Sequence, residues 1–259
     1  MELKGKRVIV VGGSSGIGQA VARAAAAKGA KVIIASRNKE KVDQAAGEIG
    51  GGVEGRVLDA TKEEEVQAFF ERIGAFDHLI CTIHPASREM LRHLVRPLDQ
   101  TATEAARQWM EVKFWGQYYC AKYGARKLKD QGSITLTGGA ASRRWIPNHA
   151  AIAATNAAVG ALGVMLAKEI GPKRCNVVSP GLVDTPVQHT LLSEEELKAH
   201  FTYKADLLPV KHVATPEEVA LSYIYLLECD FHTADVLVVD GGNSVAGVGS
   251  PGYKNLDGN

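Results

Sequence analysis

The chain has 259 residues, 46% hydrophobic and 23% charged, and its Lys and Arg nearly offset its Asp and Glu to leave a net charge of +1. That composition excludes a disordered or collagen-like chain, and the charge balance argues against a nucleic-acid or anionic-membrane partner. With no run of about 18 or more continuous apolar residues, a globular protein outside the membrane is expected.

Strand-like and helix-like runs alternate along the chain. "RVIVVG" at 7–12 leads to a helix over 16–28, and "KVIIA" at 31–35 to a second, stopped by three glycines at 50–52. "GRVLD" at 55–59 precedes Thr61-Lys62-Glu63-Glu64, whose hydroxyl and carboxylate suit a capping box for the next helix. Further strands are expected at 78–82, 133–137, 175–178 and 235–239, with helices over 101–128, 149–170 and 216–227. The last is opened by a second capping box, Thr215-Pro216-Glu217-Glu218.

This alternation implies one doubly wound α/β domain over 1–259, with a parallel sheet of about seven strands covered on both faces. Two segments break it, 84–100 and 187–213. Both are expected as loops walling a site, the second with a short helix of its own. The four cysteines, Cys81, Cys120, Cys175 and Cys229, form no zinc-type spacing, so no metal is expected. "MELKGKRVIVVGG" runs into an apolar strand without a signal-peptide layout, which makes a cytoplasmic setting the expectation.

"VIVVGGSSGIGQAV" places Gly12, Gly16 and Gly18 at a strand-to-helix turn. Glycine there lets backbone approach a pyrophosphate, while the helix start, with Ser14, Ser15 and Ile17, offers free amides and partial positive charge. The second strand is followed by Ser36, Arg37 and Asn38, with no carboxylate before Glu40. A carboxylate would hold a ribose 2′-hydroxyl, whereas a cation accommodates a 2′-phosphate, so NADPH is the expected cofactor.

These residues resemble the short-chain dehydrogenase/reductase family over nearly the whole chain. The glycine motif matches from Val11 to Gly18 with its threonine changed. Asp59-Ala60 looks like the family's adenine contact, and "RCNVVSPGLVDTP" like its segment near the nicotinamide. The resemblance implies that Pro180, Gly181, Val183 and Thr185 meet the cofactor, and that the chain forms a homodimer or homotetramer.

The family's tyrosine position falls on Ile152 and its lysine position on Asn156. Its serine falls on Gly139, its helix asparagine on Lys113, and its asparagine-rich turn on Cys81 to His84. Cys81 and Asn156 are expected to touch the cofactor. Carbonyl reduction leaves an alkoxide that needs a proton, and isoleucine has none to give. His149, three residues before Ile152, is the candidate acid if the helix has begun there, and Lys113, His84, Arg143 and Arg144 add positive charge around the cleft.

Three readings follow: an NADPH-dependent reductase of a small carbonyl or enoyl compound with an atypical mechanism, ranked first; a noncatalytic NADPH-binding sensor or complex subunit; and a relic that binds no nucleotide.

Overall fold

A computed structural model describes residues 2–245 except Ala86 and Trp145, with the side chains of Thr190 and Leu191 also left out. Seven strands form one all-parallel sheet: β1 (Arg7–Val11), β2 (Lys31–Ser36), β3 (Glu54–Val57), β4 (Phe76–Cys81), β5 (Leu128–Thr137), β6 (Arg174–Pro180) and β7 (Val236–Val239). Their order, β3-β2-β1-β4-β5-β6-β7, reverses between β1 and β4, where Val11 is level with Cys81. The carboxyl ends of these two strands therefore splay apart into the crevice where such sheets bind ligands.

Strand alternation decides what each face buries. Val8, Val10, Val32 and Ile34 face one layer, packed against α1 (Gly16–Ala27), α2 (Lys39–Ile49) and α10 (Pro216–Glu228). Ile9, Val11, Ile33 and Leu79 face the other, against α3 (Glu63–Ile73), α6 (Gly116–Gly124) and α7 (Ala150–Glu169). Residues buried on both faces explain why the strands read as continuous apolar runs.

α7 is long and apolar enough to cross a membrane by length and composition alone. Here it lies on β6: a Cβ on Gly163 would stand 2.2 Å from Val177 Cγ2, so glycine brings the helix against the sheet, as its small residues predict.

Three local expectations are corrected. Thr61 caps nothing; its hydroxyl donates to Asp59 Oδ1 at 2.8 Å, and α3 starts two residues later with Lys62 as an uncapped N-cap. The segment 84–100 carries α4 (Arg88–Leu94), capped by Ser87, and a short 3-10 turn. The segment 187–213 carries two helices, α8 (Pro186–Leu191) and α9 (Glu194–Leu207), rather than one short helix. The Thr215 capping box forms as expected. The stretch expected as one helix over 101–128 comprises α5 (Thr103–Met110), a π-helical turn (Glu111–Trp115) and α6, and β5 starts at Leu128.

One buried base makes the fold acid-sensitive. His78, fully buried in β4, shares a 2.9 Å hydrogen bond with Ser133 Oγ, while burial and then Arg174 push its imidazole down to about 4. The unfolded chain therefore binds the extra proton first. Stability should fall as pH drops from about 6.5 toward 4, by about 3 kcal/mol at most. Urea unfolding of the wild type and of His78→Gln across that window checks this, since the variant should make the limb shallower, the remaining slope belonging to His84 and His200, whose imidazoles burial also holds low.

Candidate functional site

The crevice between β1 and β4 opens beside a glycine cradle. Gly12 has φ +90° and donates to Ala35 O, turning the chain from β1 toward α1. Ser15 is the extended N-cap of α1, yet its side chain caps no amide, so the helix start keeps its donors for something else. The turn is closed to larger residues: a Cβ on Gly18 would lie 2.2 Å from Gly12 O and 2.4 Å from Thr82 Oγ1. Thr82 holds the turn from the β4 side, donating to Gly12 O at 3.1 Å and sharing that hydrogen with Val11 O at 3.3 Å. Sequence reasoning missed Thr82; only the pairing of β1 with β4 brings it there.

Around the cradle, Gly16 faces Thr185, whose Cγ2 would be 3.2 Å from an added Cβ, so the segment after β6 overlies the helix start. Val183 is buried and forms a bridge to Ala214, which fixes that segment. Pro180 ends β6, and Gly181 packs on the backbone of Asp240, with a Cβ position 2.8 Å from its Cα. Ser14 and Ile17 are half-buried in the turn. At the end of β2, Ser36 is half-buried and Arg37 is exposed, with no ion pair among the described residues, while Asn38 caps α2. Asp59 spends Oδ1 on Thr61, and Ala60 is buried beside it.

The Cys81 side chain, at a position expected to touch the cofactor, is packed into the core. Its thiol is fully buried and hydrogen-bonded with Cys120, burial holds it well above the usual thiol range, and its carbonyl accepts from Thr137 Oγ1 at 2.6 Å.

For His149 the structure corrects the helix start on which its alignment depended. α7 begins at Ala150, so His149 is its N-cap rather than part of its first turn, and its Nδ1 donates to Pro147 O at 2.6 Å. The helical spacing that would align it with Ile152 does not apply. Arg144 hydrogen-bonds the Asn243 carbonyl and side chain, and Arg143 is exposed.

The carboxyl end of β6 and the neighbouring face of α7 carry polar atoms without partners. Asn156 is 5% exposed with its Oδ1 unpaired, and Ser179 is buried with its Oγ unpaired. A Cβ on Gly139 would stand 2.6 Å from Asn156 Nδ2, so Asn156 occupies the space a side chain at 139 would need. Ile152 joins a small apolar cluster with Met90, Leu91, Leu94, Ala105 and Trp109.

Opposite stands Lys113, on the π-helical turn, only 3% exposed and with no carboxylate partner among the described residues. Burial lowers its ammonium to about 8. His84 lies edge-on to Trp109 at 5.0 Å; crowding by its surroundings and the Lys113 charge push its imidazole down, although solvent still reaches the ring.

A cradle closed to any Cβ, an uncapped helix start, and unpaired oxygens at the end of β6 and on α7 suit a dinucleotide lying across the sheet's carboxyl edge. Among the described residues no cluster of His, Cys, Asp and Glu could hold a metal ion.

Comparison with known proteins agrees with this geometry. The family model described as enoyl-(acyl carrier protein) reductase matches residues 11–244. A mouse 3-oxoacyl-[acyl-carrier-protein] reductase is 33% identical over 240 residues, covering 90% of this chain and 95% of that protein. A short-chain dehydrogenase/reductase of Acremonium sp is 31% identical and covers 95% of this chain and 97% of its own length. Among solved structures, a small-chain dehydrogenase in complex with NADPH superposes with a TM-score of 0.79 at 34% identity, covering 94% of this chain and 100% of its own. A reductase/Diels-Alderase from Malbranchea aurantiaca superposes with a TM-score of 0.82 at 25% identity, over 93% and 96% of the two chains. The chain therefore belongs to the short-chain dehydrogenase/reductase family of oxidoreductases.

Proposed function

We propose that this protein binds NADPH and reduces a small carbonyl or conjugated enoyl compound without the family's tyrosine, lysine and serine. The observation that carries the reading is an intact nucleotide cradle, with the unpaired Asn156 Oδ1 at its reacting end, beside a cleft whose corresponding positions are Ile152 and Gly139. When bound, NADPH supplies a hydride.

The chain's own residues do the rest. The α1 amides hold the pyrophosphate, Arg37 neutralises the 2′-phosphate, and Asp59 offers its free oxygen to the adenine. Asn156 Oδ1 accepts from a ribose hydroxyl. The ammonium and carboxamide that the resemblance expects at 156 and 113 stand exchanged, as Asn156 and Lys113, so one buried positive charge is retained. The α5–α6 face carries stacked Phe114, Trp115, Tyr118 and Tyr119, and with α7 it offers the surface for a homodimer or homotetramer.

A second reading, a noncatalytic NADPH-binding subunit, is favoured by the apolar packing around Ile152. A thermal-shift titration followed by NADPH oxidation against ketones, quinones and enals separates the two. A melting shift with turnover supports the reductase, whereas a shift without turnover against the whole panel supports the second reading. Arg37→Ala should weaken NADPH by about tenfold and leave NADH nearly unchanged, the loss of one charge-assisted contact. Equal effects on both nucleotides would place Arg37 away from the 2′-phosphate.

A further inference from the structure

One side of α5 and the π-helical turn presents two hydrogen-bond donors with nothing to receive them, a buried indole N–H and an ammonium on a buried stem. Trp109 is 3% exposed and its indole Nε1–H has no partner, although the ring lies against His84 and Ile152's cluster. Four residues on, Lys113 is 3% exposed as a residue, and among the described residues its ammonium makes no ion pair or hydrogen bond, while its Nζ, unlike the indole nitrogen, is not fully occluded. Gln117, four further on, belongs to the same stripe, but both ends of its amide are used: it donates to Lys113 O and Thr137 O and accepts from Thr137 N. That lock holds the turn against the end of β5. The carboxamide below is thus satisfied, while the ammonium and indole above it are not.

A buried donor without an acceptor costs free energy, and a buried ammonium costs more. Two in one stripe, at the carboxyl edge of the sheet beside the nucleotide cradle, indicate an acceptor that arrives with a ligand. The acceptor must be electron-rich and anionic to compensate the charge.

We propose that Trp109 Nε1–H and the Lys113 ammonium together receive the oxyanion formed on the substrate, and that Lys113 is the catalytic residue that protonates it. This deepens the reductase reading and rests on it. Hydride adds to the substrate carbon, the C=O π pair moves onto oxygen, and that oxygen takes a proton from Lys113 Nζ as the N–H bond breaks. The lysine is left as a neutral amine and regains its proton from water; for an enoyl substrate the same pair receives the enolate oxygen.

On the β4 side the titrating side chain near Lys113 is His84, whose imidazole the Lys113 charge helps hold low. From α7 and the turn after β5 the facing residues are Ile152, Asn156 and Gly139, none of which titrates. A limb in the rate profile on the alkaline side thus belongs to Lys113.

The test uses Lys113→Met, which keeps the bulk of the stem, and Trp109→Phe, which removes the N–H but keeps a ring. Each is read by a chromogenic oxyanion and by turnover. With NADP⁺ present, 4-nitrophenol is titrated one pH unit below its own pKa. The wild type should draw it into the yellow phenolate form, Lys113→Met should not, and Trp109→Phe should do so less.

In NADPH oxidation, Lys113→Met should lower kcat/KM by about 10²-fold or more and lose the alkaline limb, with NADPH affinity within about twofold of wild type. Equal phenolate absorbance in wild type and Lys113→Met, or none in the wild type, overturns the proposal. Wild-type turnover with an unimpaired Lys113→Met overturns it too. Absence of wild-type turnover against the panel sinks the reductase reading and the proton-donor role, while the phenolate signal still decides whether the pair binds an oxyanion.

Discussion

Gly18→Ala is expected to weaken NADPH binding by about 10²-fold or more while leaving most of the fold in place. The added methyl would enter within 2.2 Å of Gly12 O and 2.4 Å of Thr82 Oγ1. The first is a backbone atom fixed by the β1–α1 turn and the second is hydrogen-bonded to that same carbonyl, so neither can swing aside. Relief requires α1 to slide from the turn, which misaims the amides meant for the pyrophosphate. Overpacking of this kind costs about 1–3 kcal/mol of stability. Losing two charge-assisted contacts to phosphate costs about 3 kcal/mol or more of binding, roughly a 10²-fold weaker Kd or worse.

Gly47→Ala makes the matched control. Gly47 lies on the exposed side of α2 with nothing within 4 Å of the added methyl, so the same change should stabilise the protein by about 1 kcal/mol. Isothermal titration and urea unfolding of both variants check the pair. NADPH binding to Gly18→Ala at wild-type strength would mean that the cofactor does not use this turn.

Lys113→Met should make the protein more stable as it makes it less active. Burial holds the Lys113 ammonium near 8 against an ordinary 10.5. Below about pH 8 both folded and unfolded chains carry the proton, and the folded one carries it at a cost of about 3 kcal/mol. Between about pH 8 and 10.5 the unfolded chain binds more protons than the folded one, so the wild type gains stability as pH rises through that window. Above about pH 9 the buried Cys81 and Cys175 thiols and the Tyr223 hydroxyl, all raised by burial, oppose the trend, so the clean interval is about pH 8 to 9.

Lys113→Met should be more stable at neutral pH by up to about 3 kcal/mol and lose the rise across that interval. A variant that is less stable than wild type at neutral pH would show that the ammonium has an internal partner, and would remove the physical reason to seek one on the substrate.

The parts of this molecule that sequence exposes are those set by neighbours along the chain. The β1–Gly12–α1 turn reads directly because glycine is required where backbone must bend and approach. The Thr215 box forms because its hydroxyl has no competing acceptor nearby. The Thr61 box fails for the opposite reason: Asp59, two residues back, takes the hydroxyl first. α4 hides because a seven-residue helix offers barely two turns of periodicity. The π-helical turn leaves no mark on apolar spacing.

At the site, the cradle and Arg37 are local and legible. Thr82 against Gly12, and His84 against Trp109, arise from strand pairing and layer packing across long stretches of chain. The alignment expected for His149 depended on a helix start that lies one residue later, and which face of the end of β4 the Cys81 thiol takes is set by layer packing rather than by its neighbours in the chain. Lys113 was legible as a charge near the cleft, but its burial without a partner was not.

On this reading the cleft transfers a hydride without a tyrosine. Incubating the protein with NADPH stereospecifically deuterated at the nicotinamide C4, together with the carbonyl and enal panel, and weighing the products by mass spectrometry tests it most directly. One deuterium in a product alcohol or saturated carbonyl, from one face of the nicotinamide only, is the predicted result. NADPH bound by the protein but no deuterium in any product would contradict the claim and leave a nucleotide-binding protein that does no reduction.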